Sequence, residues 1–477
     1  MGKKYIGIGA AVLVIGLLAG ALYFLERTEP DSGTGPASSP TLYLNHILGG
    51  EEPVTAREIA VQNAKGGFTL VVDETETEDG RTVKSYTLAG YEGYPVNMNL
   101  LSALSTNSDK LLAKSIVAEA GADLAPFGLN RPSVTVDITR ADGSKDRMII
   151  GNAAPGSEGH YATNETGTVY LLATANIQNL FHSPLELMLR MITPGDPEQR
   201  ESMDFTSAVL GGSLRPDPIY VSEYNESMFA THLLTFGPMS AELDLTFGKP
   251  DILMAYGLIA AEVAGTESDI ARFGLDEPYS TLELNPTEEM GISPFKLSAT
   301  KPDEDGNIYM IHSESPLVYK LPADRAGWLE RTGHDLMSKL VVLPHIDSLA
   351  EVIVETPSRR YVFELNGGEG ADLVVTYGGD ELDIQSFRRY YQNILSASFD
   401  APAEEPLPDS PVPLLKYTYR YSDGSAPEVV SFYEGPARRA FITYNGGIPF
   451  YTTTAYVDRV IADTELLIGG GTVTAIM

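Results

Sequence analysis

The sequence predicts an α+β protein: an N-terminal transmembrane helix, then tandem repeated β-rich modules whose antiparallel sheets carry helices packed on one face. Three observations predict it. An uncharged apolar run extends from Tyr5 to Leu25. A Phe-Gly-Leu-x-x-Pro motif occurs twice, and Phe273 follows Phe127 by 146 positions (273 − 127). Short stretches of alternating apolar and polar residues, broken by Asp-Gly and Gly-Gly turns, fill the chain behind the run.

The run comes first. About 20 apolar residues in a helix span the ~30 Å core of a bilayer. Lys3 and Lys4 precede it, while Glu26, Arg27, Glu29 and Asp31 follow. Cations are held on the cytoplasmic side, so residues 1–4 read as a cytoplasmic tail, 5–25 as the transmembrane anchor, and the body as extracytoplasmic. The run exceeds the apolar stretch of a cleaved signal, and Ala21 stands where a lipoprotein signal needs Cys. Residues 26–40, rich in Gly, Ser, Thr and Pro, read as a flexible linker.

Each Phe-Gly-Leu motif leads into an alternating strand, Val134–Ile138 and Thr281–Leu284, and then into a tyrosine-bearing hairpin. These hairpins are Tyr161 with Val169-Tyr170-Leu171, and Tyr309 with Val318-Tyr319-Lys320. A third copy is divergent. Asp423 in Tyr417–Ser425 stands 281 positions after Asp142 (423 − 142), close to twice the first spacing, but no Phe-Gly-Leu motif precedes it. Strand-then-helix stretches come before the copies, with helical spacing at Leu100, Leu101 and Leu104 and across Ile384–Leu395. The repeating unit reads as two strands, a helix, four short strands and a closing helix. Its copies occupy 41–195, 204–340 and 346–470, each long enough for a small domain.

Composition excludes several classes of function. With 33 Lys+Arg against 65 Asp+Glu, the formal charge of −32 repels nucleic acid and anionic headgroups. The absence of Cys removes disulfides, thiolate nucleophiles and Cys-ligated metals. No P-loop and no Gly-x-Ser-x-Gly elbow occurs.

The motif residues read as structure. Gly128 and Gly274 suit a left-handed turn, Leu129 and Leu275 dock that turn, and Pro132 and Pro278 pre-set φ where a strand begins. Phe127, Phe273, Tyr161, Tyr170, Tyr309 and Tyr319 complete the repeated set. The order of anchor, strand, helix and FGLxxP…ADG…IIG…YAT…VYLL resembles the bacterial domain-of-unknown-function 4340 family. Phe127, Gly128, Leu129, Pro132, Asp142, Gly143, Ile150, Gly151, Tyr161, Val169 and Tyr170 carry the likeness. One departure is Tyr86-Thr87-Leu88, where the family pattern leads one to expect a Trp. The resemblance implies an extracytoplasmic accessory component, similar to the auxiliary subunit of gliding-motility-type ABC transport systems. It implies no catalytic residues.

The remaining polar groups offer no chemistry by spacing. His334-Asp335 and His312-x-Glu314 are close His–acid pairs, and neither forms a zinc motif. Asp303–Asn307 with Glu314 imitates a calcium loop but has Ile308 where Gly is required. Glu404-Glu405 and Glu74–Asp79 are loop charge runs. The expectation is therefore a non-enzymatic accessory or scaffold protein without cofactor or metal, its partners the membrane and an ABC permease and ATPase. A stand-alone glycan- or peptide-binding envelope protein is the second reading, and an exported hydrolase the third.

Overall fold

The strands marked by alternation all pair antiparallel with their neighbours. A computed structural model describes residues 46–475 except 158, 225–229, 238 and 367–372. The tail at 1–4, the anchor at 5–25 and the linker at 26–40 lie outside the described residues. Among those described, no helix is long and apolar enough to cross a membrane.

The first sheet is preceded by β1 (His46–Leu48) and built from β2 (Ala56–Asn63), β3 (Gly66–Glu76), β4 (Thr82–Leu88), β6 (Ser115–Ala118), β7 (Val134–Arg140), β8 (Lys145–Ala153), β9 (His160–Asn164) and β10 (Val169–Leu172). Helix α1 (Met98–Asp109) and the short β5 (Leu111–Leu112) lie between β4 and β6. The second sheet holds β11 (Phe205–Gly211), β12 (Ile219–Glu223), β13 (His232–Phe236), β14 (Met239–Glu242), β15 (Glu262–Thr266), β16 (Ser280–Pro286), β17 (Phe295–Ala299), β18 (Asn307–His312) and β19 (Leu317–Pro322), with α2 (Gly248–Leu253) before β15. The third holds β20 (Leu349–Glu355), β21 (Arg360–Asn366), β22 (Val374–Tyr377), β23 (Asp380–Glu381), β24 (Ala401–Pro402), β25 (Leu415–Tyr421), β26 (Glu428–Glu434), β27 (Arg439–Tyr444) and β28 (Phe450–Thr453). Here α3 (Ile384–Leu395) precedes β24, and α4 (Thr454–Ile468) follows β28.

All three sheets share one strand order: β4-β3-β2-β7-β8-β9-β10-β6, β14-β13-β12-β11-β16-β17-β18-β19-β15 and β23-β22-β21-β20-β25-β26-β27-β28-β24. Each is two antiparallel meanders joined through their first strands. After the first meander the chain passes through a helix to the far edge, lays down a return strand, and comes back to start the second meander. The central pairs β2–β7, β11–β16 and β20–β25 each carry an irregularity in register at the same place, near Ala56, Phe205 and Leu349. Such a shared bulge sets the local twist in the same way each time.

The unit therefore differs from the one expected. Three or four strands precede each helix, and a return strand follows it. The return strands are short edge strands with little alternation, so period-2 reading does not find them. Among the described residues a long closing helix follows the last strand in the third module alone. The first has Thr174–Ile177 and a 3₁₀ turn at Gln178–Phe181, and the second a 3₁₀ turn at Ala323–Arg325.

Helix α3 shows why these helices form. Asp383 caps it by accepting from the Ser386 N–H at 2.7 Å. Phe387, Tyr390, Tyr391 and Ile394, at helical spacing, are its buried face. Phe363 on β21 meets Phe387 and Tyr390 at 5.6 Å between ring centroids, while α4 packs beside α3. Phenol hydroxyls in this core need partners: Tyr390 bonds the Thr464 hydroxyl at 2.8 Å and Tyr391 donates to the Pro344 carbonyl at 2.6 Å.

Burial pushes the phenols of Tyr390, Tyr417 and Tyr419 above their ordinary value. Their folded pKa exceeds the unfolded value of about 10, so their contribution to stability is complete below that pH and is lost as pH rises above it. We expect the melting temperature to hold up to about pH 9 and to fall as pH rises past about 10, with part of the tyrosinate absorbance appearing only as sheet circular dichroism is lost. Ionisation of all 25 tyrosines as one population in the folded protein would contradict this.

Candidate functional site

The repeated motif builds a turn. Ala125–Phe127 and Ala271–Phe273 are single 3₁₀ turns closed by Gly128 at φ 71° and Gly274 at φ 73°. Leu129 N–H donates to the Leu124 carbonyl and Gly128 N–H to that of Ala125; Leu275 and Gly274 do the same to Ile270 and Ala271. This is a Schellman arrangement, which uses left-handed glycine to satisfy the last carbonyls. Leu129 and Leu275 are buried. Phe127 meets Tyr161 edge-on at 5.0 Å, and Phe273 stacks on Tyr309 at 4.3 Å. Tyr170 and Tyr319 are buried on the strands beyond. Pro132 stands two residues before β7; Pro278 stands two before β16, and its carbonyl accepts from Ser213 N–H. The motif thus pins the loop that returns the chain to the sheet centre.

A second repeated feature joins the modules. The segment leaving the first module bridges antiparallel to its own module at Val96↔Met188, then to the next at Met191↔Ile259. The segment leaving the second does likewise at Leu243↔Met337 and Leu340↔Ser398. Backbone N–H groups of Ile192 and Ala260 donate to Leu258 and Arg190, and those of Val341 and Phe399 to Ala397 and Lys339. Each linker is therefore bridged through its backbone to two modules.

The linkers pass beside one place in each module, defined by register on the second meander. In the third module that place holds Tyr421, Glu428 and Tyr444. In the second, the same positions are Pro286, Phe295 and His312, and in the first Arg140, Asp146 and Asn164, as the pairings Tyr419↔Glu428, Leu284↔Phe295 and Ile138↔Asp146 establish. Between modules two and three a cleft of about 710 Å³ opens here, lined among others by Met239, Val341, Leu343, Phe399 and Ile448. At its polar end Tyr421 donates to Glu428, and Tyr444 donates to the other carboxylate oxygen at 2.5 Å. Burial and then the Glu428 charge hold both phenols above their ordinary value, so they stay protonated as donors. The corresponding hollow, between the second module and the linker that reaches it, is about 240 Å³, with Phe295 stacked on His312 at 5.4 Å and Pro194 of the linker beside them. In the first module Arg140 pairs with Asp146, and Asn164 donates to the Ile47 carbonyl of β1 at 3.0 Å.

This arrangement suits binding: apolar walls orient a ligand segment while a few polar groups give selectivity. Sequence reading misses it because the cleft exists only between modules, and because hairpins of unequal length put Asp146 and Glu428 out of step with the 281-residue spacing. The polar residues singled out by spacing are structural. Asp335 accepts from the Thr332 N–H and hydroxyl at 2.8 and 2.7 Å, capping a short helix, while the His334 ring lies between Phe236 and Phe450. His312 Nδ1 accepts from Glu314 N–H at 3.1 Å, and burial lowers its pKa. Asp303 accepts from the N–H groups of Asp305 and Asn307. Among the described residues no group of three or more acidic or histidine side chains is placed to hold a metal ion.

Residues 87–212, 126 of the 477, match the model of a family described as Domain of unknown function (DUF4340). The matched segment runs from the end of β4 through α1 and the second meander to the end of β11. No curated protein matches the chain.

Glycines in the turn differ in what they tolerate. A Cβ at Gly274 would meet nothing within 4 Å, whereas one at Gly151 on β8 would come within 2.2 Å of the Phe127 carbonyl. Gly274→Ala should cost about 1 kcal/mol for its left-handed backbone. Gly151→Ala should cost more, roughly 2–3 kcal/mol, by pushing the turn off the strand. Denaturant midpoints of the two variants check the ranking, which an equal loss would refute.

Proposed function

We propose, from the match of residues 87–212 to the DUF4340 family, that the chain is a non-enzymatic, membrane-anchored extracytoplasmic scaffold acting as an auxiliary subunit of an ABC-type transport system. The apolar run at 5–25 behind Lys3 and Lys4 supports the anchor and the orientation. The family likeness supports the association with transporters. The observation that carries the reading is the array itself: three modules of one topology joined by strand-paired linkers, with an apolar cleft at a junction and the nearby polar groups engaged as struts. An array of this kind offers long surfaces to protein partners, and the charge of −32 keeps it off anionic headgroups.

Purification of the full chain from its native membrane should bring down an ABC permease and its ATPase; repeated recovery without them would defeat this version. A reporter fused after Met477 should be active outside the cytoplasm, and activity confined to the cytosol would overturn the orientation. The cleft at Glu428 favours a second reading, a stand-alone peptide- or glycan-binding envelope protein. Retention on purified cell wall, together with failure to recover a permease, would select it.

A further inference from the structure

The edge strand that follows the helix in each module meets a different neighbour. In the second module this strand is β15, and the 3₁₀ turn Leu185–Leu187 of the first module packs against it. Val263 on β15 is 7 % exposed beneath that cover. In the first module the strand is β6. Ile116 there faces Tyr170 as Val263 faces Tyr319, and both pairings carry a register shift at the next step. Yet Ile116 is 44 % and Val117 40 % exposed, because no module precedes them among the described residues.

What does precede them is β1. It pairs with β5 at His46↔Leu112, the counterpart of Met191↔Ile259 and Leu340↔Ser398. Leu112, Ile259 and Ser398 each stand three residues before their return strand. His46 therefore occupies the place of Met191, an offset of 145 (191 − 46). Carried four residues back, that offset sets Leu42-Tyr43-Leu44 against Leu187-Met188-Leu189, an apolar triplet against an apolar triplet. Thr41 then matches Glu186.

We propose that the Ile116–Val117 face is a docking surface for the chain's own residues 40–44, with Leu42 taking on the first module the place that Leu187 takes on the second. Two arguments favour this occupant over a foreign one. The segment continues an interface that β1 has already begun, and its tethering a few residues away supplies an effective concentration in the millimolar range. The docking itself holds whether or not the run at 5–25 spans a bilayer, so it fails or stands separately from the proposed function.

The chain has no Cys, so pairs of engineered cysteines report on it directly. In the full chain, L42C/I116C should oxidise to an intramolecular disulfide at a rate within roughly tenfold of M191C/I259C, a pair in register at the described junction. It should be at least about tenfold faster than L42C/V83C, whose second site lies on β4 at the opposite edge of the sheet. A rate for L42C/I116C no faster than that of L42C/V83C overturns the proposal, as do disulfides that join two copies of the chain. A Cys at position 116 shielded from maleimide only in native membranes, without the 42–116 disulfide, also overturns it and assigns the face to a foreign protein.

Discussion

The pairing of the two meanders through their first strands is the constraint on which everything else depends. With β2 against β7, β11 against β16 and β20 against β25, each sheet has a centre buried on one face and two edges that must be ended or covered. Inward positions of the second strand are Val134, Val136 and Ile138 in the first module and Leu415, Tyr417 and Tyr419 in the third. One register thus accommodates an aliphatic core and an aromatic one. The shift of register at the end of each central pair keeps the twist common to all three, so the modules present equivalent surfaces to their linkers.

Edges then account for the array. The crossover helix delivers a return strand to one edge, and in the second module the segment that closes the first covers it. Because each linker bridges both to the module it leaves and to the module it reaches, neighbouring modules are coupled by backbone hydrogen bonds as well as by side-chain contact. The third module ends the series differently. Helix α4 takes the place of short turns, and the chain after it returns to α3, where Val473 N–H donates to the Ser386 hydroxyl.

Variation is marked at the places that meet the linkers. The framework positions keep their register, while one set of three carries Arg140, Asp146 and Asn164, then Pro286, Phe295 and His312, then Tyr421, Glu428 and Tyr444. The first set is an ion pair and an amide that hold β1 and the chain before β2, the second an aromatic stack, and the third a carboxylate held by two phenols at the end of an apolar cleft. A common scaffold with changed chemistry at the junctions is the pattern expected where the junction, not the sheet, is specialised.

Much of the fold was legible from residues alone. Alternation located the central strands, helical spacing located α3 from Ile384 to Leu395, and the Phe-Gly-Leu turn revealed the repeat. These signals are local: period 2, period 3.6 and a left-handed glycine each leave a mark within a few residues. The return strands β6, β15 and β24 left none, since an edge strand takes its conformation from the partner it joins. The cleft at Glu428 was equally invisible, because its walls come from residues about 200 positions apart, Met239 and Phe450 among them. By itself the sequence determined which segments alternate, where the turns bend and that the same unit recurs. Tertiary structure decided which edges are covered and which side chains converge, because hydrogen bonding between distant strands, unlike backbone preference, has no short-range signature.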